Sequence, residues 1–334
     1  MKKKLKNILK IIMFFSVGIG IFWWVSKDQD WNALKNALSD ADYTWIFVAL
    51  FLGMLSHISR AARWNLLIKP MGYNPKLINS FFSVMIMYLS NMAIPRSGEV
   101  VRCGVLSKTE DIPFTKLLGT VFIERVIDFI MLFIFLAIVL FSQLDELLKL
   151  VTNNPDLKDK LDNLLSSTPM LIVVVISFIL IISLLYFFRS KIKQTKIFSK
   201  INNIVSQFTD GIKSVLKMEK KFEFIAHSIF IWIMYFLMIY IVFWSFDFTK
   251  NLSLITGLTV FVMSAFGMVA PSPGGMGTWH FMVIETLFVY GVDKADGYAF
   301  AIASHESMTI MMIIVGVASV ILLPIFNNKK NKFL

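Results

Sequence analysis

Long apolar segments restrict the fold of this sequence more than any other feature. The clearest covers residues 114–142, and similar segments cover approximately residues 8–26, 43–67, 169–188, 222–246, 253–270 and 298–324. A helix needs about 20 consecutive apolar residues to cross a bilayer. In the hydrocarbon core of a bilayer, a helix forms the hydrogen bonds of its backbone N–H and C=O groups within its own segment. We therefore predict an all-α, polytopic integral membrane protein with about 6–8 transmembrane helices.

The composition supports this class and excludes others. The chain is 57% hydrophobic and 16% charged, whereas soluble domains carry about 25% charged residues. Its net charge of +11 comes from lysines and arginines beside the apolar segments, a pattern typical of membrane orientation and contact with anionic lipid. We therefore expect no nucleic-acid partner. A single cysteine, Cys103, excludes an intrachain disulfide framework.

The distribution of basic residues predicts the topology. The N-terminal lysines and the basic segment 189–221 belong on the cytoplasmic side by the positive-inside rule. Both requirements are met if residues 77–115 form a re-entrant hairpin that enters and leaves on that side. We expect a protein of the bacterial cytoplasmic (inner) membrane with both termini in the cytoplasm.

We predict a single membrane domain over residues 1–334. Its approximate halves are residues 1–142 and 169–325, joined by an outer segment at 143–168. Hydrophobic residues recur at helical spacing over 191–219 and predict an amphipathic helix on the inner leaflet. A similar pattern predicts a short surface helix within residues 27–43.

Two apolar runs are broken by proline and glycine. The first break lies within Asn91–Arg102, at Pro95 and Gly98, and the second lies within residues 270–277. The second contains Pro271, Pro273, Gly274, Gly275 and Gly277. Broken segments at corresponding positions of two halves indicate the binding site of a transporter. They are also compatible with ordinary kinks or loops, so the internal repeat stays open.

Ionisable residues occur in or beside the apolar segments. They are Arg60, Arg63, Arg96, Glu99, Arg102, Glu124, Arg125, Asp128, Glu285 and Glu306. Each would cost about 2.5–3.5 kcal/mol at the centre of a span if unpaired. Arginine is suited to bidentate contact with phosphate. Two structural alternatives remain: the charges form ion pairs for helix assembly, or Arg60 and Arg63 extend to the membrane interface.

No sequence motif indicates a soluble enzyme or a cofactor. The four histidines, His57, His227, His280 and His305, show no metal-ligand spacing such as His-Glu-x-x-His. Gly274-Gly-Met-Gly277 is too short for a nucleotide-binding loop. We expect no cofactor, no metal and no catalytic residue.

Three motifs in order resemble those of a known family. They are Asn91-x-x-x-Pro95-x-x-Gly98-Glu99-x-x-Arg102, Glu124-Arg125-x-x-Asp128 and Pro271-x-Pro273-Gly274-Gly275-x-Gly277. Together, over approximately residues 10–325, they resemble the lysylphosphatidylglycerol synthase transmembrane domain family, whose stand-alone members are described as flippase-like. The resemblance implies re-entrant segments around a lipid-sized cavity, with the polar motif positions at Glu99, Arg102, Glu124, Arg125 and Asp128. The sequence ends at Leu334, and we expect no C-terminal aminoacyl transferase domain.

These observations lead to a main functional hypothesis and two alternatives. The main one is translocation of an anionic or glycosylated lipid, such as an anionic phospholipid or a polyprenyl-phosphate lipid. In this hypothesis Arg96, Arg102 and Arg125 bind the phosphate of the lipid. The first alternative is a membrane-embedded transferase or accessory subunit that acts on polyprenyl-phosphate-linked sugars, with Glu124 or Asp128 as base. The second is a small-solute or ion transporter. Homo-oligomerisation is compatible with each. The main hypothesis requires Arg96, Glu99 and Arg102 to lie within reach of Glu124, Arg125 and Asp128.

Overall fold

The computed structural model describes residues 20, 22–23, 26–27, 31–94, 96–143, 218–270 and 272–327. The chain forms two compact units, one of residues 1–136 with 215–334 and one of residues 137–214. Of the second unit, the described residues are 137–143, which include the end of one long helix. All the contacts discussed below lie within the first unit.

The described residues form α-helices joined by short turns and contain no β-strand. In chain order the helices are α1 (Trp31–Ser39), α2 (Tyr43–Ile68), α3 (Leu77–Ala93), α4 (Gly98–Glu110), α5 (Phe114–Ser142), α6 (Lys221–Tyr240), α7 (Leu254–Val269), α8 (Thr278–Val289) and α9 (Lys294–Phe326). Short 3-10 turns follow α2 at Lys69–Met71 and α6 at Ile241–Ser245, and a third lies at Pro273–Gly275.

Four of these helices are long and apolar enough to cross a membrane: α2, α5, α6 and α9. α3 and α7 are shorter apolar helices. The predicted all-α, polytopic architecture is therefore confirmed for the described part of the chain. The total of 6–8 spans stays a prediction, because the expected spans at 8–26 and 169–188 fall largely or wholly outside the described residues. The outer segment 143–168 and the amphipathic helix 191–219 also lie almost entirely outside them.

Two short stretches beside the long helices also have helical structure. The short helix expected within residues 27–43 is α1, whose Leu34 is buried. The acidic residues between α8 and α9 lie at the start of α9, which begins at Lys294. Asp293 is the N-cap residue and Asp296 lies in the first turn. Acidic residues are favourable at a helix N-terminus, so this acidic stretch largely belongs to the helix.

α3 and α4 form a helical hairpin around the first predicted break. Arg96 adopts a φ of 62° in the turn, a left-handed conformation that is uncommon for non-glycine residues. The backbone N–H of Gly98 donates to Oδ1 of Asn91 at 2.8 Å, which fastens the start of α4 to the end of α3. Buried side chains of both helices share one core with Trp64 of α2: Val84, Met87, Cys103 and Leu106. Pro95 lies outside the described residues.

α7 and α8 form a second helical hairpin around the second predicted break. Gly274, Gly275 and Gly277 have positive φ angles of 59°, 81° and 79°, which glycine adopts without a steric penalty. A Cβ atom at Gly267 would overlap the backbone of Thr278, so the two helices approach closely there. Pro273 begins the 3-10 turn and is buried. The second glycine-rich motif is therefore a tight interhelical turn.

The two breaks lie beside each other. Nη2 of Arg96 donates to the carbonyl oxygen of Val269, at the end of α7, at 2.8 Å. Met92, near the end of α3, lies 3.8 Å from the position that a Cβ atom would occupy at Gly274. The first hairpin therefore contacts the second at the point where each changes direction.

We predict that Gly98→Ala lowers the stability of the folded protein. The added Cβ atom would overlap the carbonyl oxygen of Met87 and the side chain of Asn91, and overpacking of this kind costs about 1–3 kcal/mol. Thermal unfolding of the purified protein in detergent measures the effect. Gly104→Ala on the same helix is the matched control, because its Cβ atom would meet nothing within 4 Å apart from its chain neighbours and the adjacent backbone of its own helix. A Gly98→Ala protein as stable as the Gly104→Ala protein would contradict this account of the turn.

Candidate functional site

Three helices bring seven ionisable side chains together. They are Arg60 and Arg63 on α2, Glu99 and Arg102 on α4, and Glu124, Arg125 and Asp128 on α5. We call this set the charge network. Residues three or four positions apart share a helix face. Arg60 and Arg63 therefore point to one side of α2, and Glu124 and Asp128 to one side of α5.

The centre of the charge network is a carboxylate held between two guanidinium groups. Oε2 of Glu124 lies 2.6 Å from Nη2 of Arg102, and Oε1 lies 3.3 Å from Nη2 of Arg63. The side chains of all three residues are 0% exposed. An unpaired charge here would carry a large desolvation cost, so each charge is tolerated because the others are present.

Asp128 connects this buried centre to the outer part of the charge network. Its Oδ1 accepts from Arg63 at 2.8 Å. Its Oδ2 lies 3.4 Å from Nη2 of Arg60 and 3.2 Å from Nη2 of Arg125. Glu99 lies on the far side of Arg125, at 3.6 Å. Asp128 thus contacts arginines that are buried and an arginine that is not.

Exposure increases along the charge network. Arg63, Arg102 and Glu124 are fully buried, whereas the side chain of Arg125 is 44% exposed. Four guanidinium groups face three carboxyl groups, so with the carboxyl groups ionised the network carries one excess positive charge. The accessible end of the network, at Arg125, is where an anion could be received.

Aromatic rings surround the buried arginines. The guanidinium carbon of Arg102 lies 4.6 Å from the centre of the Trp64 ring, and that of Arg63 lies 5.7 Å from the Phe224 ring. Such cation–π contacts are more favourable when water is excluded. Nε of Arg63, and Nε and Nη1 of Arg102, have no hydrogen-bond partner among the described residues. The indole N–H of Trp64 donates to Thr120 at 2.8 Å, which fixes the orientation of its ring.

The structure places the first-motif residues in two different locations. Glu99 and Arg102 lie in the charge network, as the main hypothesis requires. Arg96 does not. Its left-handed backbone conformation accompanies an exposed side chain that donates to the end of α7 rather than to α5. No contact described for Arg96 joins it to Glu124, Arg125 or Asp128, so its place in the site stays a prediction.

Arg60 and Arg63 do not extend to the surface. Their relative exposures are 4% and 0%, and both lie within 3.4 Å of Asp128. Because both arginines are buried and paired with Asp128, the structure does not support the alternative that their side chains extend to the membrane interface. Asn91 and Gly98 shape the hairpin turn, where they contact each other and not the charge network.

The remaining predicted residues lie outside the charge network. Glu285 pairs with Lys294 at 2.6 Å, and both side chains are partly exposed. Glu306 lies 3.1 Å from Nδ1 of His305 and 3.5 Å from Nε2 of His280. The turn residues Gly274 and Gly275 precede α8, and the carbonyl oxygen of Gly274 contacts His305. Glu306 therefore belongs to a second polar cluster, with His280 on α8 and His305 on α9, and Gly274 contacts this cluster from the turn before α8.

A family model described as "Lysylphosphatidylglycerol synthase TM region" matches residues 7–316. This chain belongs to that family. It is also similar to "UPF0104 membrane protein MJ1595" of Methanocaldococcus jannaschii, at 29% identity over 126 residues. That match covers 37% of this chain and 36% of the relative, so it spans about a third of the relative's length. No solved structure matches the chain.

The match to the lysylphosphatidylglycerol synthase transmembrane-region family includes the charge network and the second polar cluster. The matched residues include all of α2 to α8 and most of α9. The resemblance drawn from the three sequence motifs is therefore confirmed. The chain is a multi-pass membrane protein of this family.

Sequence reasoning missed the polar partners on α6. Arg60 donates to the hydroxyl of Tyr235 at 3.2 Å, and Arg63 donates to the hydroxyl of Ser228 at 3.2 Å. Tyr235 also lies 3.2 Å from the hydroxyl of Tyr88 on α3. Two hydroxyl residues seven positions apart share one face of a helix. The occurrence of these two hydroxyl residues in a mostly apolar segment was the sequence feature that could have indicated polar partners on α6.

We predict that Glu124→Gln strongly destabilises the fold. The substitution leaves Arg63 and Arg102 buried without their shared carboxylate, and loss of one partner from a buried ion pair costs about 3–5 kcal/mol. Glu285→Gln makes the same chemical change in a partly exposed pair and should cost less than about 1 kcal/mol. Thermal or denaturant unfolding in detergent compares the two proteins.

A double-mutant cycle identifies the interaction responsible. Arg102→Met combined with Glu124→Gln should destabilise the protein by less than the sum of the single changes, because the residues lie 2.6 Å apart. Additive effects would show that Arg102 and Glu124 do not stabilise each other.

Proposed function

We propose that this protein translocates an anionic or glycosylated lipid across the cytoplasmic membrane. The observation that carries the proposal is the partly exposed Arg125 at the accessible end of a network that has a fully buried centre and one excess guanidinium group. Family membership supports a membrane function. In the proposed orientation both termini are cytoplasmic, as the distribution of basic residues favours.

Arg125 is the proposed contact for the lipid phosphate. A guanidinium group can make two parallel hydrogen bonds to phosphate, a geometry that lysine cannot reproduce. Glu99 and Asp128 lie on either side of Arg125, at 3.6 and 3.2 Å. If a phosphate replaced one of these carboxylates beside Arg125, the guanidinium group would keep an anionic partner during the exchange. A lipid headgroup could thus bind and leave without creating an isolated charge.

The buried part of the charge network holds this contact in place. Arg63 bridges Asp128 and Glu124, and Glu124 binds Arg102 on α4. The position of Arg125 is therefore linked to α2 and α4 as well as to its own helix. We propose that the two hairpins, which meet at Arg96 and Val269, flex to open the path to each leaflet.

The geometry is less favourable for the transferase alternative. A general base must have an oxygen within hydrogen-bond reach of the substrate proton. The two oxygens of Glu124 each face an arginine inside the protein, and its side chain is 0% exposed. Both oxygens of Asp128 also face arginines. Translocation needs an accessible contact for the phosphate, which Arg125 supplies, so we favour it over catalysis.

We predict that Arg125→Gln reduces lipid translocation at least about tenfold, since an arginine–phosphate contact of about 1.5–3 kcal/mol is lost. The measurement is flip-flop of labelled anionic phospholipid or polyprenyl-phosphate lipid in liposomes that contain the purified protein. Arg125→Lys should recover only part of the rate, because lysine keeps the charge but not the planar geometry.

Lys116→Gln is the matched control. Lys116 is an exposed cation on the same helix, lies outside the charge network and contacts Tyr73. Its substitution should leave the rate unchanged. No acceleration of flip-flop for any anionic or glycosylated lipid, with folded protein in the liposomes, would overturn the proposal. Electrogenic solute uptake that is independent of lipid type would establish the solute-transporter alternative instead.

A further inference from the structure

A second polar cluster lies on helices that carry no part of the charge network. His280 on α8 and His305 and Glu306 on α9 offer ligand atoms that all lie within 4.8 Å of one another. His305 is eleven positions after the start of α9, or about 16 Å along a helix that rises 1.5 Å per residue. The cluster therefore lies well inside a helix that is long enough to cross the membrane.

The hydrogen bonds of His305 determine which of its nitrogen atoms is available. Nε2 lies 2.9 Å from the carbonyl oxygen of Gly274. A carbonyl oxygen can only accept, so Nε2 carries the proton and donates. In a neutral ring, Nδ1 then has a free electron pair. That atom lies 3.1 Å from Oε1 of Glu306. A nitrogen lone pair therefore faces a carboxylate oxygen. A cation bound by both atoms would remove the repulsion between them.

His280 supplies an independent indication of a ligand. Its side chain is 0% exposed, and neither of its ring nitrogens has a hydrogen-bond partner among the described residues. Leaving a buried polar group unpaired costs about 1–3 kcal/mol. Its Nε2 nevertheless lies 3.5 Å from Oε1 of Glu306. The unpartnered ring is thus directed at the same oxygen atom that His305 faces.

We propose that His280, His305 and Glu306 bind a divalent transition-metal ion of the Zn²⁺ type. Zinc ligands at about 2.0–2.1 Å in tetrahedral geometry lie about 3.3 Å from one another. The two separations from Oε1 of Glu306, 3.1 and 3.5 Å, match this value. Two imidazoles and one carboxylate form a ligand set that suits zinc rather than magnesium or calcium.

The surroundings of the cluster support a metal site. A metal-binding histidine usually donates its other ring N–H to a carbonyl or carboxylate, which fixes the ring. The contact of His305 with Gly274 has this form. The rings of Trp279 and Phe22 pack against His305 and His280 at centroid distances of 5.1 and 5.4 Å. The side chain of Glu306 is 35% exposed, which leaves an approach for the ion.

Sequence spacing gave no sign of this site. His280 and His305 are twenty-five positions apart on different helices, whereas helical metal motifs place their histidines one turn apart. Packing of α8 on α9 brings them together, and the turn at Gly274 orients one of them. A bound ion would fasten the second hairpin to α9 independently of any lipid.

The test uses the full chain, purified in detergent through a tag that contains no histidine. The protein is equilibrated with Zn²⁺ or Co²⁺ and desalted, and the bound metal is measured by mass spectrometry. We expect about one ion per chain. Co²⁺ should give the visible absorption of a four- or five-coordinate site, and Zn²⁺ should displace it. Glu306→Gln and His280→Gln should each weaken binding by about 10- to 100-fold or more.

His227→Gln is the matched control, because His227 pairs with Ser59 outside the cluster and its loss should leave binding unchanged. Elution profile and thermal unfolding verify that each variant is folded. If both ligand variants misfold, the displaceable Co²⁺ spectrum of the unmodified protein decides the question. Folded protein without metal after equilibration would overturn the proposal. So would binding that both ligand variants retain, or stability that responds to pH but not to Zn²⁺, which would indicate a proton shared by His305 and Glu306.

Discussion

The fully buried carboxylate of Glu124, held between Arg63 and Arg102, is the interaction on which the described structure most depends. Each of these residues alone would cost several kcal/mol within a membrane span. Their mutual contacts offset that cost only when α2, α4 and α5 are assembled. Burial of apolar surface gives no hydrophobic driving force for association between helices in lipid, since lipid tails are equally apolar. The buried charges therefore specify which helices meet and at which height.

This arrangement also separates a structural role from a binding role within one network. Glu124 and its two arginines have no exposed surface, so they can position other groups but cannot meet a substrate directly. Arg125 is on the same helix and is linked to them through Asp128, yet almost half of its side chain is accessible. The alternative that the charges serve assembly alone describes the buried centre well. It gives no reason for the accessible end.

Much of the fold could be predicted from the sequence, because hydropathy and charge act locally. The apolar spans of α2, α5 and α6 were located to within a few residues, and the family was recognised from three motifs. Helical spacing correctly placed Glu124 with Asp128 and Arg60 with Arg63. Spacing could not show that Arg96 turns away, since this depends on its left-handed backbone conformation. Nor could it pair His280 with His305, since only packing between helices brings them together.

The two polar clusters are joined by the breaks between helices rather than by a shared core. Glu99, in the first turn of α4, contacts Arg125, and three positions before it Arg96 donates to the end of α7. The turn that follows α7 contains Gly274, whose carbonyl oxygen orients His305. Hinge motions are absorbed at element ends. A movement that separates the hairpins must therefore break the contact between Arg96 and Val269. This contact lies between Glu99, which contacts Arg125, and Gly274, which orients His305.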